Sequence, residues 1–265
     1  MILLLGGAAE TALLATAIAE AGFDVLVSTA TTVALDVGKH SRIRRRTGPL
    51  GKTAMEGVIL EHGIEAIVDA SHPYASSAHA NASTVAEKLE LPYLRWRRPE
   101  TPLLDGRVAF ADNHEEAAAL AFSHGEPVLL TTGSRNLTPY AKVSRATGVD
   151  LVVRVLPHPD SVKAAEEAGI DHVKIVTGRG PFSVDENLDL IRRFGIGVLV
   201  TKDGGEEGGV PAKIEAAHRE HCRVIVIRRP PEPEAESFDN VSELVSALCS
   251  LPVSKAGQES KGPAV

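Results

Sequence analysis

The stretch Asp69-Ala70-Ser71-His72-Pro73-Tyr74-Ala75 gathers a carboxylate, a hydroxyl, an imidazole and a phenol within a few residues. Carboxylate, imidazole and phenol are the side chains that move protons, which makes Asp69, His72 and Tyr74 the candidate catalytic groups. An apolar run of strand length, 64–68, precedes them, and Ala78, Ala82, Val85, Ala86 and Leu89 follow at helical spacing. The four groups are therefore expected at the C-terminal end of a strand, the edge where open α/β sheets bind ligands. Pro73 fixes its own φ and keeps His72 out of helical geometry, so the turn is held. The plainer alternative is an ordinary strand-to-helix loop in which Ser76 or Ser77 caps the helix.

A second cluster lies at the start of the chain. Met1-Ile2-Leu3-Leu4-Leu5 reads as a first strand, and Gly6-Gly7-x-x-Glu10 as the turn into an alanine-rich helix over 10–21 closed by Gly22. Glycines at that turn let the backbone approach a pyrophosphate on the helix N-terminus, although the full dinucleotide fingerprint is absent and a tight turn needs glycine too. The second strand, 24–28, ends in Ser28, Thr29 and Thr31 with no acid to grip a ribose diol. Arg42, Arg44, Arg45 and Arg46 follow; alternation along a strand sends Arg42, Arg44 and Arg46 to one face and Arg45 to the other. Hydroxyls with arginines suit a 2′-phosphate, while a charged edge strand would carry the same arginines for solubility.

Three loops of the second half repeat the pattern: Thr131-Thr132-Gly133-Ser134-Arg135, Thr177-Gly178-Arg179-Gly180-Pro181-Phe182 and Thr201-Lys202-Asp203-Gly204-Gly205 each follow an apolar strand. Each alone is a glycine-rich turn with a solvated cation. Together they place Arg135, Arg179 and Lys202 around one expected polyanion pocket. Ser183-x-x-Glu186 is a capping box, which assigns Glu186 to the helix rather than to chemistry. His218, His221 and Cys222 lack a fourth ligand, so no metal site is expected.

These groups are positioned by alternating strands and helices, the mark of parallel sheets with helices on both faces. The first third gives strands at 2–5, 24–28, 64–69 and 91–95, a short extra strand within 39–46, and helices over 50–62 and 76–90. Trp96-Arg97-Arg98-Pro99-Glu100-Thr101-Pro102 has two prolines and no periodicity and reads as a linker. Beyond it strands are expected at 107–110, 127–131, 150–156, 172–176, 196–201 and 223–228, with helices near 114–123, 160–168, 183–194, 211–219 and 239–249. The expected fold is thus α/β with two Rossmann-like lobes and an inter-lobe cleft: 1–98 for the dinucleotide, 99–251 for the substrate, and a disordered tail over 252–265.

Of the 265 residues 43% are apolar and 24% charged, as in an ordinary globular protein, and the net charge of −7 offers no footprint for nucleic acid. The apolar opening is too short for a signal peptide or a membrane span. Two cysteines cannot build a disulfide framework and fit the cytoplasm.

The sequence resembles the precorrin-6A reductases of cobalamin biosynthesis, including the variant that acts on the cobalt-containing substrate, from Gly6 to about Pro231. The resemblance rests on Gly6-Gly7-x-x-Glu10, Asp69 through Ala75 with Asn81-Ala82, and Pro92-Tyr93-Leu94-Arg95-x-x-Arg98-Pro99. It continues in Thr131-Thr132-Gly133, Arg179-Gly180-Pro181-Phe182, Thr201-Lys202-Asp203-Gly204-Gly205, Lys213-Ile214-x-Ala216-Ala217 and Arg229-Pro230.

It implies hydride delivery from NADPH, with NADH as the alternative, to a carbon–carbon double bond of a polycarboxylate tetrapyrrole. Gly6, Gly7, Glu10, Ser28, Thr29, Arg44 and Arg46 would hold the nucleotide, with Asp69, Ala70, Ser71 and His72 beside the nicotinamide. Thr132, Gly133, Arg135, Arg179, Gly180, Pro181, Phe182, Lys202, Asp203, Gly204, Gly205 and Lys213 would meet the substrate. The protein is expected to be a cytoplasmic monomer with no nucleic-acid or membrane partner. Departures from the family are Ala8 for Thr, Ala12 for an Arg in the first helical turn, Ser71 for Thr, and Asp203 where Asn or Ser is commoner; the last adds an unexplained negative charge. Two rival readings remain: a tetrapyrrole methyltransferase or other two-lobed transferase, and a non-catalytic nucleotide-sensing module.

Overall fold

The computed structural model describes residues 1–7, 10–31, 35–98 and 108–255. Ala8, the 99–102 part of the linker and the tail beyond residue 255 lie outside them.

The first stretch runs β1 (Ile2–Leu5), α1 (Thr11–Glu20), β2 (Val25–Thr29), β3 (Ile43–Thr47), α2 (Lys52–His62), β4 (Ala66–Asp69), α3 (Ser76–Lys88) and β5 (Tyr93–Trp96). The second runs β6 (Val108–Ala111), α4 (His114–Phe122), β7 (Val128–Leu130), α5 (Thr138–Thr147), β8 (Leu151–Val155) and α6 (Pro159–Glu167). It continues through β9 (Ile175–Thr177), α7 (Val184–Phe194), β10 (Val198–Lys202), α8 (Val210–Arg219) and β11 (Arg223–Ile227). β12 (Glu236–Phe238) and α9 (Val241–Ser250) close the chain.

Two six-stranded parallel sheets result, ordered β12-β5-β4-β1-β2-β3 and β6-β11-β10-β7-β8-β9. In the first, β1 is apolar throughout and buried, because both faces of a parallel sheet are covered. Alternation feeds two separate cores. Ile2, Leu4, Val25, Val27 and Val68 meet Leu14 and Ile18 of α1 and Leu244 and Leu248 of α9. Leu3, Leu5, Leu26 and Ile67 meet Met55 and Ile59 of α2 and Ala82 and Val85 of α3. In the second sheet, Leu129, Val152, Leu199 and Val224 pack under Leu188 and Ile191 of α7 and Ala216 and Ala217 of α8. The capping box of α7 forms as expected, with Ser183 accepting from the Glu186 amide and Glu186 from the Ser183 amide.

The chain divides into a unit of Met1–Pro99 with Pro230–Val265, and a unit of Glu100–Arg229. The expected boundary at 251 is therefore wrong for the last 20-odd residues. β12 pairs with β5, Phe238 opposite Trp96, and α9 buries Leu244 and Leu248 in the first core. The cause is hydrophobic: the α1 face of the first sheet needs a second helix, and α9 supplies it. Nor is the start of the tail loose, because Val253 packs on that core and the Ser254 amide donates to Glu65 at 2.7 Å.

Two further elements differ from expectation. Helix α5 was not expected, since only Tyr140 and Ala141 in it are buried and its periodicity is faint. The first half of the strand expected at 172–176 is a single 3-10 turn, because Asp171 accepts from the Val173 amide and bends the chain.

Candidate functional site

In each sheet the strand order reverses once, between β1 and β4 and between β7 and β10. Ligands of doubly wound sheets bind outside the C-terminal strand ends at such points. The first reversal falls between Gly6-Gly7 and Asp69–His72, the second between Thr131–Gly133 and Lys202–Gly205.

At the first edge, Gly6 is required: a Cβ there would lie 2.6 Å from Thr11 Cγ2. Gly7 has φ +125, a conformation that glycine adopts without strain, and donates its amide to Thr11 Oγ1 at 3.1 Å. No side chain caps α1 and its first turn has no acid, so the helix N-terminus stays compatible with an anion. Glu10, expected to touch the nucleotide, is held by Arg98 through both carboxylate oxygens, with Nη2 at 2.7 Å from Oε2. It ties the β5 exit to the start of α1.

Beside them, Arg46 donates to Ser28 Oγ at 2.7 Å and Arg45 to Thr29 Oγ1 at 3.0 Å. The register sets Ser28 opposite Arg46, so the two hydroxyl–guanidinium pairs occupy opposite faces of the strand ends. Arg44 is exposed on β3, two residues short of the hydroxyls, and Arg45 has the place at Thr29 that was not expected of it.

Asp69 is fully buried. Its Oδ2 accepts from His79 Nδ1 and from the Tyr93 hydroxyl, each at 2.7 Å, and Oδ1 accepts from the Ser71 amide at 3.0 Å. Burial by itself would raise this carboxyl. The His79 hydrogen bond and charge, then Tyr93 and Ser71, outweigh burial and hold it at about 2. Burial first, and then Asp69, push the Tyr93 phenol upward. His79 Nε2 lies 3.2 Å from the His72 carbonyl, so the buried carboxylate positions the His72 turn through His79.

His72 itself is exposed, with Nδ1 accepting from the Tyr74 amide at 3.3 Å and its ring 5.7 Å from the Tyr74 ring. Ala75, not Ser76 or Ser77, is the N-cap residue of α3, and no side chain caps it. His79 was missed; its position at i with Ala82 at i+3 and Ala86 at i+7 places it on the buried stripe, a signal that was legible.

At the second edge, Thr132, Gly133 and exposed Arg135 follow β7, while exposed Arg179 lies in the loop after β9 with Gly180, Pro181 and Phe182. A Cβ on Gly178 would come within 2.7 Å of the Phe182 ring, which explains that glycine. Burial, then the charge of Arg135, lowers Lys202, so these two cations do share a neighbourhood. Burial and then Lys202 also push His114 down to about 4, leaving a neutral ring between Tyr140 and Asn136. Gly204 is packed against Gly208, whose Cα a Cβ would meet at 3.2 Å. Asp203 no longer lacks a reason: Arg229 pairs with it at 3.2 Å and donates to its carbonyl at 3.1 Å. Lys213 is buried and donates to the Gly208 carbonyl at 2.8 Å and to Thr201 Oγ1 at 3.4 Å.

A cavity of about 130 Å³ lies at the opposite edge of the second sheet, beside Leu151, Arg145 and Lys174, and none of the second-edge groups lines it. Cys222 is core packing with its thiol raised to about 11 by burial, and no His, Cys, Asp or Glu cluster among the described residues could hold a metal.

Reversed parallel sheets, a glycine turn and hydroxyl–arginine pairs define a two-unit Rossmann-like protein. The family model described as precorrin-6x reductase CbiJ/CobK matches residues 1–249. A cobalt-precorrin-6A reductase of Priestia megaterium is 34% identical over 249 residues, 94% of this chain and 98% of the relative. A precorrin-6A reductase of Rhodococcus erythropolis is 32% identical over 262 residues, 94% and 98% of the two chains. The solved structure of a CobK precorrin-6A reductase superposes with TM-score 0.80 over 97% of this chain and 99% of its own at 24% identity, a likeness of fold. The chain belongs to the precorrin-6x reductase CbiJ/CobK family, a family of reductases in cobalamin biosynthesis. No helix among the described residues is long and apolar enough to cross a membrane.

Proposed function

We propose that the protein reduces a carbon–carbon double bond of the precorrin-6A macrocycle, with or without cobalt, using NADPH. The observation that carries the cofactor is the end of β2, where Ser28 and Thr29 are bound by Arg46 and Arg45 and no carboxylate stands in the turn. Guanidinium forks and hydroxyls are donors for a 2′-phosphate, and an acid there would repel it. When bound, the nicotinamide supplies a hydride, and orientation is the protein's contribution.

Gly6, Gly7 and the open N-terminus of α1 receive the pyrophosphate. The Asp69–His79 pair fixes the backbone of the His72 turn, and His72 Nε2 and the Tyr74 hydroxyl are the groups able to give a proton to the carbon beside the reduced one. Arg135, Arg179, Lys202 and Lys213 supply positive charge for substrate carboxylates. The reading includes a cytoplasmic monomer without nucleic-acid partners, supported by the acidic net charge and two free cysteines.

The test is anaerobic turnover of precorrin-6A and of cobalt-precorrin-6A, followed by nicotinamide absorbance with NADPH and NADH. Oxidation of NADPH well ahead of NADH is expected with at least one macrocycle. Equal use of both nucleotides defeats the phosphate assignment. Oxidation of neither, with S-adenosylmethionine binding instead, defeats the reductase assignment.

A further inference from the structure

Arg154 carries no sequence signal, yet it is the most unusual side chain of the second unit. It sits near the end of β8, buried to 7% exposure, with its guanidinium 3.9 Å above the Phe182 ring. Nη1 donates to Asn187 Oδ1 at 2.9 Å, while Nη2 is buried with no partner. The carboxylate that acts on it is Glu186 of the α7 capping box, felt as a charge and not as a hydrogen-bond partner, so Nη2 is left unfilled.

Lys213 is in the same condition: buried to 8%, with only a carbonyl and a threonine hydroxyl as partners. Register sets the two on one face. Leu130 lies opposite both Val153 and Val200, so the next row is Thr131, Arg154 and Thr201, and Lys213 bonds the last of these. Loops join them as well. A Cβ on Gly209 would meet Pro181 at 3.4 Å, so the turn that Lys213 braces packs on the loop that carries Phe182. The positive charge of Arg154 is felt at Lys213.

Two buried cations that hydrogen-bond only neutral groups, with one donor unused, are costly to fold, because buried charges are normally paired through hydrogen bonds. The arrangement is what a site for an anion looks like without its ligand. A carboxylate fits the donors: one oxygen on the free Nη2 of the planar fork, the other on an ammonium.

We propose that Arg154 and Lys213 form a carboxylate subsite in the second unit that takes an acetate- or propionate-type side chain of the substrate, with Phe182 and Asn187 holding the guanidinium in place. The proposal rests on the tetrapyrrole reading and deepens it: Arg154 joins the substrate-binding groups, and Lys213 acts as half of a pair.

Two probes test it on the full chain with Arg154→Gln, Arg154→Lys and Lys213→Met, each checked for fold by circular dichroism. The first is uroporphyrin, a polycarboxylate macrocycle, followed by fluorescence anisotropy. The second is sodium propionate, compared with sodium chloride and inorganic phosphate at equal ionic strength, read as the shift in melting temperature. Arg154→Gln and Lys213→Met are expected to weaken porphyrin binding about tenfold or more, the scale of a lost charge-assisted hydrogen bond. Arg154→Lys, which keeps the charge and loses the fork, should fall between. Propionate should stabilise the wild type beyond chloride, and neither Arg154→Gln nor Lys213→Met.

Porphyrin binding that is the same in all variants overturns the subsite and leaves the tetrapyrrole reading intact. A propionate response lost in the variants, without porphyrin binding by the wild type, supports the subsite and counts against the tetrapyrrole. Stabilisation by phosphate and not by propionate, or by none of the probes, overturns the subsite.

Discussion

The two sheet edges are built to the same plan and are electrostatic opposites. At the first, each buried charge has an ionic partner: Glu10 with Arg98, Asp69 with His79, and Arg95 with Glu232 at 3.2 Å, although Nε and Nη1 of Arg95 are buried without a hydrogen bond. At the second, Arg229 answers Asp203, but Arg154 and Lys213 hydrogen-bond only neutral groups, with Glu186 felt by Arg154 as a charge, and Lys202 shares its surroundings with Arg135. The difference teaches what each edge is ready to receive. The first pairs its buried charges with opposite charges and offers amides and hydroxyl–arginine pairs. The second keeps an excess of positive charge in a protein whose net charge is −7.

The contrast breaks most severely at Asp69. Asp69→Ala strands the His79 and Tyr93 donors in the interior, and breaking such a buried pair costs roughly 3–5 kcal/mol. Urea unfolding should show that loss, and an unchanged midpoint would mean that the network is ornamental. The same carboxyl predicts an acid response. Its folded-state value of about 2 lies below the 3.8 of a free aspartate, so its contribution is whole above pH 4 and is lost as pH falls towards 2. The linked stability is about 2 kcal/mol, read as the difference between wild type and Asp69→Asn across acid titrations.

At the second edge the sign reverses. Lys213 is held at about 7, chiefly by burial and then by Arg154, so the folded state carries a disfavoured charge below that pH while the unfolded chain stays protonated to about 10. Lys213→Met should therefore gain about 1–4 kcal/mol at or below pH 7. The gain should shrink as pH rises towards 10. A variant less stable than wild type at pH 7 would show that its bonds to Gly208 and Thr201 outweigh the buried charge.

The smallest effects sharpen the nucleotide edge. Arg46→Ala should raise KM for NADPH about tenfold while hardly moving that for NADH, the pattern of a lost uniform contact. Arg44→Ala should alter neither. Equal effects of the two substitutions would mean that the bond to Ser28 is irrelevant to the phosphate.

Much of this was legible because strand ends announce themselves. The apolar runs before Gly6, Asp69, Thr131 and Lys202 end where the sheets end, and parallel pairing brings those ends to one edge of each sheet. What was not legible depends on partners distant in sequence. Nothing near Glu10 says that Arg98 will claim it, and nothing near Asp203 points to Arg229. Arg154 was hidden by its setting, since an arginine inside Leu-Val-Val-Arg-Val looks like an edge-strand charge until Phe182 and Asn187 cover it. The Arg42–Arg46 alternation was readable, but which arginine meets which hydroxyl depended on a register that sequence does not state.

The return of β12 and α9 to the first sheet has a consequence for the order of synthesis. Residues 100–229 form one uninterrupted unit, whereas the first unit lacks an edge strand and half of one helical layer until residue 250 has been made. On a ribosome the later-encoded unit can finish folding before the earlier one, whose Leu14 and Ile18 wait for Leu244 and Leu248. The pairing of Trp96 with Phe238 is the longest sequence separation in that sheet, and such contacts form slowly. A nascent chain halted before α9 therefore presents an apolar sheet face, and chaperone demand should fall sharply once that helix has left the tunnel.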